Sequence, residues 1–159
     1  HIKVEREGRL CGCGQRGCLE TVASRLAISA EAAMAVYRGE APHLHDIAGT
    51  DISDIKSGAL AKAIKAGDAV IERIVRRAAR HLGTAIASVV NLLAPDVVVL
   101  GGGLVEAMPD LFLKEIEKAV EDEAMKSFTR SLKIVAAELG DNAAVMGAAG
   151  LAAEAAAEE

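Results

Sequence analysis

The sequence predicts a mixed α/β fold built in layers, and three observations support this class. Helical and strand patterns alternate over the second half of the chain in the order helix, strand, helix, strand, helix. A continuous apolar run at residues 97–100 precedes three glycines, which is typical of an interior strand covered on both faces. Of the 159 residues, 52% are hydrophobic but only 2% are aromatic, so aliphatic side chains must build the core.

The first half of the chain predicts one strand, two helices and two loops. Residues 1–8 alternate apolar and charged side chains, which predicts a short strand. A cysteine-rich loop follows, and apolar residues at helical intervals predict a single helix over residues 19–37. Residues 39–51 contain Gly, Pro, His and Asp and predict a surface loop. Residues 51–66 predict a helical turn and a short helix that is broken at Gly67.

The second half predicts three helices and two strands. Asp68 stands at the N-cap position of the longest helix, residues 69–93, whose wide apolar face indicates burial. A Pro-Asp turn leads into the apolar strand, and residues 109–128 predict the next helix. Residues 132–139 predict the second strand, after which a Gly-Asp-Asn turn leads into a terminal helix.

Composition and charge argue against several classes of function. The formal net charge of −5 and the scarcity of aromatic rings disfavour a general nucleic-acid binder. Arg73, Arg76, Arg77 and Arg80 recur at helical spacing and are interpreted as a solvated face, with an interface or DNA patch as the alternative. No apolar run reaches the roughly 20 residues that span a bilayer. Clustered thiols without distant partners favour a reducing, cytoplasmic location.

All three cysteines lie in one loop, where Cys11, Cys13 and Cys18 follow the spacing C-x-C-x4-C. Soft thiolates separated by small residues suit a tetrahedral Zn2+ ion, because the intervening glycines let the backbone fold tightly around it. His1 precedes the first cysteine by ten residues and supplies a fourth ligand. Redox-active or buried structural cysteines, and a His1 left over from a tag, are the alternatives.

The segment CGCGQRGCLE resembles the zinc signature of the ROK family, which comprises bacterial and archaeal sugar kinases and related sugar-responsive repressors. His1 stands where that family has a histidine that binds zinc and contacts the sugar. The segments VVVLGGG and GDNAAVMGAAGLA also resemble the C-terminal half of the family. The resemblance implies that residues 1–159 form the C-terminal lobe of an actin-like, ribonuclease H-like ATPase (ASKHA) fold. Within it, residues 1–20 would form the zinc- and sugar-binding strand and loop, and residues 94–152 the nucleotide-side strand, turn and helix.

The resemblance also implies which residues contact ligands. Glu20, two residues past the last cysteine, would accept hydrogen bonds from sugar hydroxyls. Favourable charge at the start of a helix explains the same glutamate without a sugar. Gly101, Gly102 and Gly103 would approach the adenosine of ATP, whereas a tight turn without a ligand is the alternative.

The implied function is that of a glucokinase-like, ATP-dependent hexose kinase, which uses Mg-ATP and holds zinc in a structural role. The family's phosphate loop and catalytic aspartate belong to an N-terminal lobe without a counterpart in this sequence. No catalytic residue is therefore assigned, and the isolated chain is expected to be inactive. The alternative function is the sugar-sensing effector domain of a ROK transcriptional repressor, for which DNA would be a further partner. By the same resemblance, the protein is expected to form homo-oligomers, either dimers or tetramers.

Overall fold

Helices pack against one face of a two-stranded parallel sheet in the structure, a computed structural model that describes residues 1–157 apart from the side chain of Asp141. This mixture of helices and strands confirms the predicted α/β class. The elements follow one another as α1 (Glu20–Ala23), α2 (Arg25–Tyr37), α3 (Pro42–Ala48), α4 (Ser57–Ala66), α5 (Ala69–Leu93), β1 (Val97–Leu100), α6 (Gly103–Ala107), α7 (Pro109–Glu123), α8 (Lys126–Thr129), β2 (Lys133–Ala136), a 3-10 turn (Gly140–Asn142) and α9 (Ala143–Ala157).

The core forms where the long helix α5 packs against α7, which also contacts β2. Both helices direct fully or almost fully buried aliphatic and aromatic side chains into it. These side chains are Ile71, Val75, Ala78, Val90, Phe112, Ile116 and Val120. Their burial supplies the main stabilisation of the fold, at roughly 25 cal/mol per Å² of apolar surface. Across residues 1–157, no helix combines the length and the apolar character needed to cross a membrane.

The parallel strands β1 and β2 pair in register, with Val97 opposite Lys133 and Leu100 opposite Ala136. Val98 and Leu100 face the helical core, whereas Val97 and Val99 remain 48% and 61% exposed. The prediction that this strand is covered on both faces is therefore wrong for the residues described. Helices of the described part cover one face of the sheet, so every second valine of the apolar run lies at the surface.

Three predictions for the first half of the chain are corrected. Residues 1–8 form no strand. Within the described residues, this segment pairs through one isolated bridge, between Lys3 and Cys18. The single helix predicted over residues 19–37 is two helices, separated at Ser24. This serine is extended (φ −68°, ψ 153°), and its side chain accepts a hydrogen bond from the amide of Ala27 as the N-cap of α2.

The third correction concerns the loop predicted over residues 39–51, which contains helix α3. Pro42 occupies the first turn of this helix, where a missing N–H costs nothing. Asp68 accepts hydrogen bonds from the amides of His43 (3.3 Å) and Leu44 (2.7 Å). Asp68 does stand at the N-cap position of α5, as predicted. Its buried carboxylate, however, accepts hydrogen bonds from backbone amides at the start of α3 and from none at the start of α5. Gly67 ends α4 as predicted.

The four arginines of α5 lie on a largely solvated face, as their spacing predicted, since three are exposed and Arg76 is half-buried. Ion pairs nevertheless engage most of them. Arg77 pairs with Glu31, and Arg76 pairs with Glu72 one turn away. Arg76 and Arg80 both donate to the carboxylate of Glu115 on α7, each at 2.6 Å. Three of the four cations therefore connect α5 to itself or to its neighbours.

The carboxylate of Glu115 is expected to stabilise the contact between α5 and α7. Burial favours a higher pKa for Glu115, but hydrogen bonds from Arg80 and Arg76 outweigh it and lower the pKa. A lowered folded-state pKa means stability that is complete at neutral pH and is lost as the pH falls below the unfolded-state value. We expect Glu115→Gln to reduce the free energy of unfolding by about 2 kcal/mol at pH 7, because it leaves two cations without their anion.

Urea denaturation at pH 7 and at pH 3 measures this contribution. The cost of Glu115→Gln should shrink at the lower pH, because the carboxylate of the unfolded chain binds a proton there and the ion pairs then contribute less to the free energy of folding. Glu117→Gln is the matched control, since Glu117 is exposed on the same helix and should change stability little. An equal cost at both pH values would contradict a charge-based role for Glu115.

Candidate functional site

Three cysteines and one histidine meet at the N-terminal end of the chain. His1 Nδ1 lies 3.4 Å from Cys11 Sγ, and Cys13 Sγ lies 3.6 Å from Cys18 Sγ. The four potential ligand atoms are all within 4.8 Å of one another. The structure thus brings together the four side chains that sequence spacing nominated as metal ligands.

The donor set and the distances of this cluster fit a tetrahedral metal site. Bonds of about 2.3 Å to sulfur and about 2.0 Å to nitrogen imply ligand–ligand distances of roughly 3.5–3.8 Å around a tetrahedral ion. The observed 3.4 and 3.6 Å are close to this range. Three thiolates and one imidazole are also a ligand set typical of structural zinc, with no corner left for a reactive water.

Backbone hydrogen bonds fix the cysteine loop around the cluster. The amide of Cys11 donates to the carbonyl of Gln15 at 2.8 Å, and the amide of Gly14 donates back to the carbonyl of Cys11 at 2.9 Å. A bridge between Lys3 and Cys18 aligns the first residues of the chain with the end of the loop. This pairing brings His1 to cysteines that lie ten or more residues away in sequence.

Gly17 is the position at which the first segment and the loop approach most closely. Its carbonyl accepts hydrogen bonds from the amides of Val4 (2.8 Å) and Glu5 (3.1 Å). Its φ is +76°, and a Cβ atom there would lie 1.6 Å from the carbonyl oxygen of Glu5. By contrast, a Cβ at Gly12 would meet no atom within 4 Å. The loop therefore needs glycine at position 17 and does not need it at position 12.

The thiols of the cluster differ in their environments. Burial, followed by hydrogen bonds with Cys13 and Cys11, raises the pKa of Cys18 to about 11. Cys13 is exposed, and a hydrogen bond from the backbone of Gln15 lowers its pKa. The buried thiol of Cys18 therefore resists deprotonation on its own. A divalent cation at the centre would supply the positive charge that keeps three sulfurs deprotonated together.

Glu20 is exposed at the first residue of α1, directly after the loop. Two hydrogen bonds hold this exit from the loop. The hydroxyl of Thr21 donates to the carbonyl of Cys18 at 2.7 Å, and the amide of Leu19 donates to the carbonyl of Ile2 at 2.8 Å. The direction in which Glu20 leaves the loop is therefore set by the same backbone that carries Cys18.

The three glycines predicted to approach a nucleotide line a groove of about 430 Å³. Gly102 has φ +99°, which favours glycine, and its missing side chain leaves the groove open. The groove is also lined by Arg25 and Ser57, which sequence reasoning missed. Each is the first residue of a helix, and only folding brings those two helix starts beside the glycine turn.

Helix α1 connects the cysteine loop to this groove. Glu20 begins the helix at the loop, and Ala23 ends it as part of the groove wall. A helix rises 1.5 Å per residue, so these two residues are separated by about 5 Å along the axis. The carboxylate predicted to bind sugar thus begins a short helix whose last residue lines the groove of the glycine turn.

Comparisons with family models, curated proteins and solved structures all identify the same family. The model of the ROK family matches residues 1–155. A DNA-binding transcriptional dual regulator, NagC of Escherichia coli K12, is 32% identical over 145 residues, which are 91% of this chain and 34% of that protein. A glucokinase of Thermotoga maritima is 34% identical over 152 residues, which are 95% of this chain and 47% of that protein.

A solved structure shows the same relationship. The ROK family glucokinase of Streptomyces griseus, crystallised with glucose and AMPPNP, matches with a TM-score of 0.79 and 30% identity, over 95% of this chain and 49% of that one. This match agrees with the expected actin-like ATPase fold. The chain spans between a third and a half of the length of the relatives it matches. It belongs to the ROK family.

Proposed function

We propose that this chain is the C-terminal part of a glucokinase-like, ATP-dependent hexose kinase. The observation that carries the proposal is the short helix α1, which places Glu20 and the wall of the glycine-turn groove at its two ends. Transfer of a phosphoryl group requires a sugar hydroxyl and the γ-phosphate of ATP to be held close together and in line. A sugar-binding carboxylate beside a nucleotide groove would hold the hydroxyl and the γ-phosphate close together.

Each predicted site residue has a binding role in this proposal. His1, Cys11, Cys13 and Cys18 would hold a zinc ion, which supplies a rigid four-cornered anchor for the loop. The remaining ring nitrogen of His1 would face a sugar hydroxyl, because Nδ1 is directed at the cluster. The free cysteines also support a reducing, cytoplasmic location for the protein.

The two carboxylate oxygens of Glu20 can accept hydrogen bonds from hydroxyls on adjacent sugar carbons, and charge makes such bonds stronger than neutral ones. The glycine turn would receive the adenosine of Mg-ATP, because its backbone allows close approach. No catalytic residue is assigned within this chain, so the proposal concerns binding and positioning.

A repressor effector domain is the second candidate function. The 32% identity to a protein named as a DNA-binding regulator favours it. Such a domain would need the sugar site and the zinc anchor but no nucleotide in the groove. Binding of nucleotide is therefore the property that separates the two candidates.

Calorimetric titration of the chain with glucose and with AMPPNP tests the proposal. We expect both to bind, and we expect Glu20→Gln to weaken glucose by roughly tenfold, the loss of one charge-assisted interaction, while leaving AMPPNP unchanged. Glu7→Gln is the control, because Glu7 is an equally exposed carboxylate on the approach to the loop. Glucose binding without AMPPNP binding would favour the repressor. Glucose affinity unaffected by Glu20→Gln would contradict the sugar assignment.

A further inference from the structure

Of the described residues that line the glycine-turn groove, Arg25 alone carries a charge. Most of the remaining wall is apolar and includes Leu82, Leu104 and Val105, while Ser57 contributes a hydroxyl group. An apolar wall suits a flat nucleobase, and a single guanidinium suits an anionic group attached to it. The groove therefore has the chemical composition that a phosphorylated nucleoside requires, with one residue available for the charge.

Arg25 is also free to take up an anion. The arginines of α5 that line the contacts with α2 and α7 are held by Glu31, Glu72 or Glu115. Within the described part of the chain, Arg25 forms no ion pair and no side-chain hydrogen bond, and it is exposed. Binding a ligand anion would thus break no existing interaction of this side chain.

The position of Arg25 relates it to both predicted ligands. It is the first residue of α2, and Ser24 alone separates it from α1, the helix that begins at the end of the cysteine loop. The glycine turn, where the nucleoside would be received, lines the same groove. A phosphate chain that extends from the turn toward the sugar would pass this guanidinium.

We propose that Arg25 binds a phosphate group of the nucleotide and gives the groove its preference for a nucleoside di- or triphosphate over the unphosphorylated nucleoside. This inference rests on the proposed function, since it takes the groove to be the nucleotide site. The planar guanidinium donates two parallel N–H hydrogen bonds to phosphate oxygens, which a lysine cannot reproduce. Arg25 is thus a specificity-determining residue, and it takes no part in bond making or breaking.

Equilibrium binding of AMPPNP and of adenosine to the chain tests this role. Arg25→Gln should weaken AMPPNP by roughly tenfold and leave adenosine unchanged, because only the former carries phosphates. Arg25→Lys should retain part of the preference, since it keeps the charge but loses the paired geometry. Arg130→Gln removes the same charge from an exposed position outside the groove and should alter neither affinity.

Each result bears on the inference. Selective loss of AMPPNP affinity in Arg25→Gln supports it, and a smaller loss at high salt strengthens the electrostatic interpretation. An unchanged AMPPNP affinity, or equal losses for AMPPNP and adenosine, overturns it while the proposed kinase function stands. If the wild-type chain binds neither compound, both the nucleotide site and the role of Arg25 are wrong.

Discussion

Replacing Cys13 with serine is expected to reduce the zinc content of the chain from one ion to near none. Cys13 is the exposed member of the cluster, so its replacement disturbs little packing. Its sulfur nevertheless lies 3.6 Å from that of Cys18 and completes the four-ligand set. A hydroxyl group is a poor substitute for a thiolate, and we expect zinc affinity to fall by about a hundredfold or more.

The sugar site should weaken together with the metal in this variant. Loss of the ion frees the loop that fixes Cys18, and with it the start of α1 and Glu20. Elemental analysis and glucose titration of the same preparation measure the two effects. Arg16→Gln is the control, because Arg16 lies in the same loop but pairs with Leu10 through its backbone. Zinc content equal to that of the wild type in Cys13→Ser would contradict the ligand assignment.

Gly17→Ala is expected to be the most damaging single methyl addition in the loop. The new Cβ would lie 1.6 Å from the carbonyl oxygen of Glu5, and the left-handed conformation of this residue disfavours any side chain. Relief requires the loop to move away from residues 4 and 5, which breaks two backbone hydrogen bonds. We expect a loss of about 3 kcal/mol in the free energy of unfolding, and weaker zinc binding as His1 moves away.

Gly12→Ala is a matched control in the same loop. A Cβ at this position meets no atom within 4 Å, so stability should change by less than about 0.5 kcal/mol. Thermal unfolding of the two zinc-loaded variants makes the comparison. Similar stabilities for Gly12→Ala and Gly17→Ala would show that the close approach of the loop to Glu5 is not a requirement of the fold.

Sequence periodicity is sufficient to predict a helix or strand whose own apolar pattern is strong. Helix α5 begins and ends where its apolar face predicted, and β1 coincides with the valine run. Spacing also nominated the four side chains of the cluster, because small residues between cysteines leave few other arrangements. These features depend on short stretches of sequence, so local patterns predict them well.

The remaining features depend on contacts between distant segments. Asp68 has the sequence signature of a cap for α5, yet its carboxylate is used by α3, which local patterns had assigned to a loop. Nothing in the sequence around Glu115 predicts its ion pairs with two arginines of α5. Likewise, Arg25 and Ser57 are ordinary residues at helix starts until the fold brings them to one groove. Such residues are recognised only once the packing of helices is known.

The glucose affinity of the chain before and after removal of its metal tests the central claim most directly. That claim is that a zinc ion held by His1 and three cysteines positions Glu20 for a sugar. We expect chelation to weaken glucose binding strongly and one equivalent of zinc to restore it. Glucose binding that is equally tight with and without the metal would contradict the claim.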